Sequence, residues 1–269
     1  MRNIVAENYL KYPVVLVHGF GFRDGKKLCY WGRIPKFLQD KGCKVFFGGQ
    51  DSCATIEDNA LILKDRIECV LKETGAEKVN VIAHSKGGLE VRYLISTMKM
   101  DGAIASLTTI GTPHHGSATI EKIPKFVLKA TGFFMNIWMR LMGDGHPDAY
   151  RAYLSFRADS AAEFNEENPD SPNVYYQSYA FAMRRDIFLW FTHVIINKIE
   201  GENDGLVSVK SAEWGEFRGI KRSNSKRGIS HCDEVDLRRR RFTKKSGENV
   251  SDILEVYDEI ALNLKEKGF

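Results

Sequence analysis

The stretch Val79-Asn80-Val81-Ile82-Ala83-His84-Ser85-Lys86-Gly87-Gly88 decides the fold. Its β-branched start reads as a short strand buried on both faces. The run stops at Ala83 to Gly87, and Leu89, Val91, Tyr93 and Leu94 then follow a helical period. A strand, a sharp turn with serine at its apex and a helix form the context in which a G-x-S-x-G pattern becomes a nucleophile elbow. Ala83 replaces the first glycine of that pattern, and Gly87 keeps the second. Both are small, as a tight strand–helix approach requires. The same residues also fit a serine that merely caps a helix.

Outward from the elbow, the chain alternates strands and helices. Pro13 to Val17 reads as a buried strand ending in His18-Gly19-Phe20-Gly21. A short helix over Ile34 to Asp40 closes at Gly42, and a strand follows at Val45 to Phe47. Ile56, Ala60, Leu63, Ile67, Val70 and Leu71 recur at helical spacing until Gly75 stops the run. Further strands are expected at Leu107 to Ile110, Tyr175 to Ala180 and Leu206 to Val209, with a last helix over roughly 252–264. This alternation predicts an α/β chain with a mostly parallel central sheet covered by helices on both faces. Active residues in such sheets lie beyond the carboxyl ends of the strands. The pattern breaks between Gly111 and about Asn173, which predicts one domain over residues 1–269 carrying a helical insertion at about 116–172.

Composition narrows the function classes. The 269 residues are 43% hydrophobic, enough for one large core. A net charge of +4, with both signs well represented, does not mark a nucleic-acid binder. Five cysteines, Cys29, Cys43, Cys53, Cys69 and Cys232, lack metal-site spacing and read as reduced thiols. No apolar signal region opens the chain and no 18-residue uncharged apolar run occurs. The expectation is a cytoplasmic protein, or a secreted one whose signal peptide has been removed, with no membrane span.

A serine nucleophile needs a base within hydrogen-bond reach and a carboxylate to hold that base's tautomer. In an elbow-type sheet they follow the serine as acid, then histidine. Of the seven histidines, His18 and His84 come too early, and His146 and His193 fall in the insertion and in a predicted helix. His231 lies in Gly228-Ile229-Ser230-His231-Cys232-Asp233-Glu234, a small-residue loop able to reach Ser85, although a surface-loop histidine would look the same. Asp204, in Glu202-Asn203-Asp204-Gly205, falls between Ser85 and His231, although Asp-Gly is also a common turn. Ser85, Asp204 and His231 are the expected triad. Expected oxyanion donors are the backbone N–H groups of Lys86, which follows the nucleophile, and Phe20, in the loop after the first strand.

These residues carry a resemblance. Val15-Leu16-Val17-His18-Gly19-Phe20, Tyr30-Trp31-Gly32, Ala83-His84-Ser85-Lys86-Gly87-Gly88, Thr108-Thr109-Ile110-Gly111-Thr112-Pro113-His114-His115-Gly116-Ser117, Phe164-Asn165, Asn203-Asp204-Gly205-Leu206-Val207 and His231-Cys232-Asp233-Glu234-Val235 together resemble the bacterial triacylglycerol lipase family of the α/β-hydrolase fold. The match spans nearly the whole chain in order. It implies the same triad, the same oxyanion amides, and hydrolysis of long-chain acylglycerol esters at a lipid–water interface. It also implies a structural calcium site whose aspartate, two residues after the catalytic histidine, is Asp233. The glutamine expected four residues further on is Leu237 and the earlier aspartate has only a weak candidate in Asp186, so a weak calcium site or none is expected. No cofactor is required for the chemistry.

Two surface features bear on partners. Residues 126–142 are apolar around almost the whole helical circumference, where a surface helix would keep a polar face. Phe126, Phe133, Phe134, Ile137, Trp138 and Leu141 are read as a lid over the acyl pocket, which the resemblance also implies; a buried core helix or a dimer contact fits the same pattern. Lys221, Arg222, Lys226, Arg227, Arg238 to Arg241, Lys244 and Lys245 form a basic patch around His231. Such a patch is either a solvated face or a contact with anionic membrane; it lacks the aromatics of a nucleic-acid site. Expected is a serine carboxylester hydrolase of the lipase type. The alternatives are a phospholipase, a short-chain carboxylesterase, or a non-catalytic membrane- or protein-binding module on the same fold.

Overall fold

The computed structural model describes residues 9–24, 30–243, 247 and 249–269. Among them, six strands pair into one sheet, all in parallel. In chain order these are β1 (Val14–Val17), β2 (Val45–Phe47), β3 (Val79–His84), β4 (Ile104–Ile110), β5 (Tyr175–Phe181) and β6 (Glu216–Lys221). Their spatial order is β2-β1-β3-β4-β5-β6, which puts the elbow strand near the middle.

The side-chain period of two divides the core. Val14 and Leu16 of β1 face one layer and Val15 and Val17 the other. The first layer is closed by α1 (Ile34–Asp40) and α10 (Leu254–Glu266), through Ile34, Leu38, Val256, Tyr257, Ile260 and Leu264. The second is closed by α2 (Ile56–Thr74) and α3 (Lys86–Ser96), through Leu63, Ile67, Val70, Val91 and Leu94. Burying each of these side chains is worth about 1.5–3 kcal/mol, so both layers anchor the sheet firmly. Helix α2 starts where the Thr55 side chain accepts from the Asp58 amide, and it stops at Gly75 in the left-handed region.

Between β4 and β5 lie α4 (Ala118–Lys122), α5 (Lys125–Leu141), α6 (Ala149–Leu154) and α7 (Ala158–Glu167). Helix α8 (Trp190–Ile199) and the short α9 (Val209–Ala212) follow β5. The strand expected at Leu206 to Val209 does not form. Val209 opens α9 behind a Ser208 cap, and only an isolated bridge joins Asn203 to Ser208. The strand that fills the sheet edge is β6, whose half-buried and polar residues lack the apolar run of a central strand. No helix among the described residues is long and apolar enough to cross a membrane.

Candidate active site

Ser85 sits where β3 turns into α3, at φ 55° and ψ −130°. An L-residue reaches this region only under strain, and the surroundings hold it there. The Ser85 amide donates to the Ile110 carbonyl at 2.9 Å. A Cβ on Gly87 would lie 2.6 Å from the His18 carbonyl oxygen, so the elbow's closing glycine is a steric necessity.

Asp204, expected as the acid, lies in the loop between α8 and α9, and His231, expected as the base, in the loop after β6. His231 Nδ1 donates to Asp204 Oδ2 at 2.7 Å, and the His231 amide donates to the Asp204 carbonyl at 2.9 Å. The other oxygen, Oδ1, accepts from the amides of Leu206 and Val207, each at 2.7 Å. Burial pushes the Asp204 carboxyl up, but the His231 charge and hydrogen bond outweigh it and hold the group below its ordinary value. Ser85 and His231 line the same cavity, of about 220 Å³. The Ser85 hydroxyl has no side-chain hydrogen bond among the described residues.

The proposed oxyanion donors flank this serine. Lys86 is the first residue of α3, where the helix offers its amide no internal acceptor. Its side chain is fully buried and paired with Glu90. Glu90 also accepts from Asn59 at 2.6 Å and Gln50 at 3.4 Å, and Gln50 donates to the His18 carbonyl at 3.0 Å. This network ties α3 to the Gly19–Phe20 loop. Sequence reading did not find it, because a buried lysine with distant amide partners has no local signature.

Phe20, Ile120, Tyr153, Phe156, Leu206 and Leu237 make most of the cavity wall apolar. Phe126, Phe133, Phe134, Ile137, Trp138 and Leu141 are not on that wall; they lie on the outer face of α5, Phe126 being 75% exposed. The inner face of α5 packs through Met135 and Met139 beside Phe20 and Tyr153. A second apolar ridge, absent from the sequence expectations, runs from Ile187 through Phe188, Trp190 and Phe191, with Phe188 86% exposed. Its helix, α8, packs against α4, whose Ile120 lines the cavity. Equal spacing of apolar residues inside a short helix gave no sign of which face would stay bare.

The basic patch is largely committed. Lys221 pairs with Glu259, Arg222 with Glu202, Arg238 with Asp186 and Asp233, Arg240 with Asp233, and Arg241 with Asp252. Lys244, Lys245 and Cys29 lie outside the described residues; Cys43, Cys53, Cys69 and Cys232 are free thiols.

Calcium fits poorly. Asp233 Oδ2 accepts from the Ser230 hydroxyl at 2.7 Å, and the Arg238 guanidinium bridges Asp233 and Asp186. A second guanidinium, from Arg240, approaches Asp233 at 3.7 Å. A hard dication wanting six or more oxygens would meet two fixed positive charges there. His84, His231 and Glu234 do place ligand atoms within 4.8 Å of one another. Those atoms already face hydrogen-bond partners: His84 Nε2 faces Glu234 and His231 Nδ1 faces Asp204.

Residues 13–183 match the family model described as palmitoyl protein thioesterase. Triacylglycerol lipase 2 of Saccharomyces cerevisiae is 31% identical over 257 residues, covering 89% of this chain and 74% of the yeast protein. The chain belongs to this lipase and thioesterase family. A triacylglycerol lipase of Burkholderia plantarii is 34% identical over 187 residues, covering 62% of this chain and 51% of its own. Among solved structures, a Staphylococcus hyicus lipase superposes with a TM-score of 0.73 at 16% identity, covering 97% of this chain and 98% of its own. A metagenomic carboxyl esterase gives 0.75 at 18% identity, covering 96% and 76%. Those two superpositions identify the α/β-hydrolase fold. The enzyme is thus an ester hydrolase of lipase or carboxylesterase type.

Proposed function

We propose that the enzyme is a lipase that cleaves long-chain acylglycerol esters at a lipid–water interface through an acyl-enzyme on Ser85. The observation that carries this reading is the apolar cavity shared by Ser85 and His231, flanked by the two bare apolar ridges of 126–141 and 187–199. Ser85 Oγ attacks the ester carbonyl carbon while His231 Nε2 takes its proton. The tetrahedral oxyanion is held by the amides of Phe20 and Lys86. Collapse breaks the bond to the alcohol, which leaves with the proton from His231. Water then repeats the sequence, releasing the fatty acid and restoring the serine. Asp204 holds the imidazole by Nδ1 and stabilises its positive form.

The bare ridges support contact with a lipid surface: exposed aromatic and aliphatic side chains gain by leaving water. Attraction of anionic lipid to the basic patch contributes little, because acidic side chains already pair with much of it. A p-nitrophenyl ester series of increasing chain length, with Ser85→Ala as control, tests the reading. Activity that climbs once long esters pass their solubility limit is expected. Preference for short soluble chains would mark a carboxylesterase, and equal release by both proteins a binding module. A phosphonate ester adduct should map to Ser85.

A further inference from the structure

Glu234 is fully buried, has no role in the scheme above, and stands where the two halves of the site meet. Its Oε2 lies 3.1 Å from His84 Nε2 and 3.7 Å from His231 Nδ1. Its carboxyl also meets that of Asp204 across the space that Gly111 leaves open. A Cβ at position 111 would sit 2.2 Å from Glu234 Oε2 and 3.1 Å from Asp204 Oδ2. On the far side of the His84 ring, Nδ1 lies 2.5 Å from the Tyr30 hydroxyl, which receives the Gly19 amide at 3.2 Å. Buried polar contacts therefore run without a break from the residue before Phe20 to the carboxylate behind His231.

Counting protons fixes the direction of each bond. The Gly19 amide can only donate, so Tyr30 accepts it, and the acceptor left for the buried Tyr30 hydroxyl hydrogen among the described residues is His84 Nδ1. The ring proton of His84 is then on Nε2 and points at Glu234 Oε2. Two carboxyl groups in contact need one proton between them. Asp204 already accepts two amides and an imidazole, so the negative charge belongs there and the proton belongs on Glu234. Burial, then the charge of Asp204, holds the Glu234 carboxyl well above its ordinary range. Burial, then the charge of His231, keeps the His84 ring well below its own.

We propose that Tyr30, His84 and Glu234 act as one buried hydrogen-bond chain that keeps the oxyanion loop in register with Asp204, Glu234 being a positioning residue that donates to that carboxylate. This rests on the triad reading given under Proposed function. The groups facing Glu234 come from every neighbouring segment: His84 from the end of β3, Asp204 from the loop between α8 and α9, and His231, Cys232 and Asp233 from its own loop. Tyr30 lies behind His84, and Tyr257 of α10 donates to the Glu234 carbonyl at 3.0 Å. Donation to Asp204 tempers its basicity, and so tempers the imidazole it holds.

The test measures kcat and KM against pH on a soluble p-nitrophenyl ester, with active sites counted by phosphonate titration. Glu234→Leu should lower kcat tenfold or more with KM little changed, and move the acidic limb to higher pH. Glu234→Gln, which keeps a donor for Asp204 and an acceptor for His84, should recover most of that loss and return the limb. Tyr30→Phe cuts the chain at its other end. Its loss combined with Glu234→Leu should fall well short of the product of the two single losses. If Glu234→Leu does not fold, the position of the acidic limb in Glu234→Gln and in Tyr30→Phe decides alone. Losses that multiply independently, or a Gln variant as impaired as the Leu variant, overturn the chain. Phosphonate labelling away from Ser85 would instead overturn the triad reading beneath it.

Discussion

Gly19 and Ser85 approach so closely that a Cβ on Gly19 would lie 2.8 Å from Ser85 Cβ and 3.0 Å from the Tyr30 hydroxyl. No methyl group fits there without moving Ser85, the proposed nucleophile, or the loop that carries Phe20, the proposed oxyanion donor. Gly19→Ala is therefore expected to cut kcat by about 10²–10³-fold, the size seen when an oxyanion donor is lost. KM should change little. Steady-state kinetics beside a phosphonate titration separate slower turnover from fewer intact sites.

Stability should respond to pH in opposite senses through the two buried carboxyls. Asp204 has a folded value below the unfolded value of about 3.9. Its contribution is complete above that value and is lost as pH falls through the folded one. Glu234 is raised, so the folded chain keeps a proton that the unfolded chain releases above about pH 4.3. Its contribution declines from there upward until the folded value is passed. Thermal melts across pH should show a shallower alkaline decline for Glu234→Gln than for wild type. An unchanged slope would mean that Glu234 is ionised in the folded chain.

The clamp at Arg238 carries a prediction about metal. Its guanidinium ties Asp186, in the loop between β5 and α8, to Asp233 in the loop that carries His231. Chelation by EDTA should leave melting temperature and activity unchanged. Arg238→Ala should destabilise by about 1.5–3 kcal/mol, the usual range for hydrogen bonds to charged groups, and should lower kcat by loosening His231. Differential scanning calorimetry with and without calcium checks both. A wild-type transition that rises with calcium would show that the carboxylates serve a metal after all.

How much of this was legible beforehand depended on range in sequence. The elbow was readable because its strand, serine and helix are contiguous, and Ser85, Asp204 and His231 could be ordered because loops after parallel strands collect at one edge. Glu234 was not legible as a partner of His84, since the two are 150 residues apart and meet only through the register of the sheet. The edge strand β6 hid for a different reason. One of its faces is only half covered, so polar residues such as Glu216 and Arg218 are tolerated and the apolar signal fades. The stretch at Leu206 to Val209 erred the other way: its apolar residues pack in a small cluster under β5 while Ser208 starts a helical turn. The apolar character of 126–142 was plain in the sequence. Which of its side chains face Phe20 and which face outward depends on Cys53 and α6, against which the inner face packs.

The two bare ridges can be told apart by mutation. Replacing Phe134 and Trp138 with serine removes apolar area from the outer face of α5 while leaving Met135 and Met139 against Phe20. Replacing Phe188 and Phe191 does the same on the other side of the cavity, beyond α4. None of these four side chains lines the cavity, so hydrolysis of a short soluble ester should stay within about twofold of wild type, as for other exposed substitutions. Adsorption to emulsified long-chain lipid should weaken for each pair. Giving up even two exposed aromatic contacts with lipid forfeits about 3 kcal/mol, roughly a hundredfold in partition at 1.4 kcal/mol per decade. Loss confined to the α5 pair would restrict lipid contact to the outer face of α5. If neither pair affected adsorption, catalysis at an interface would have to rest on some other surface.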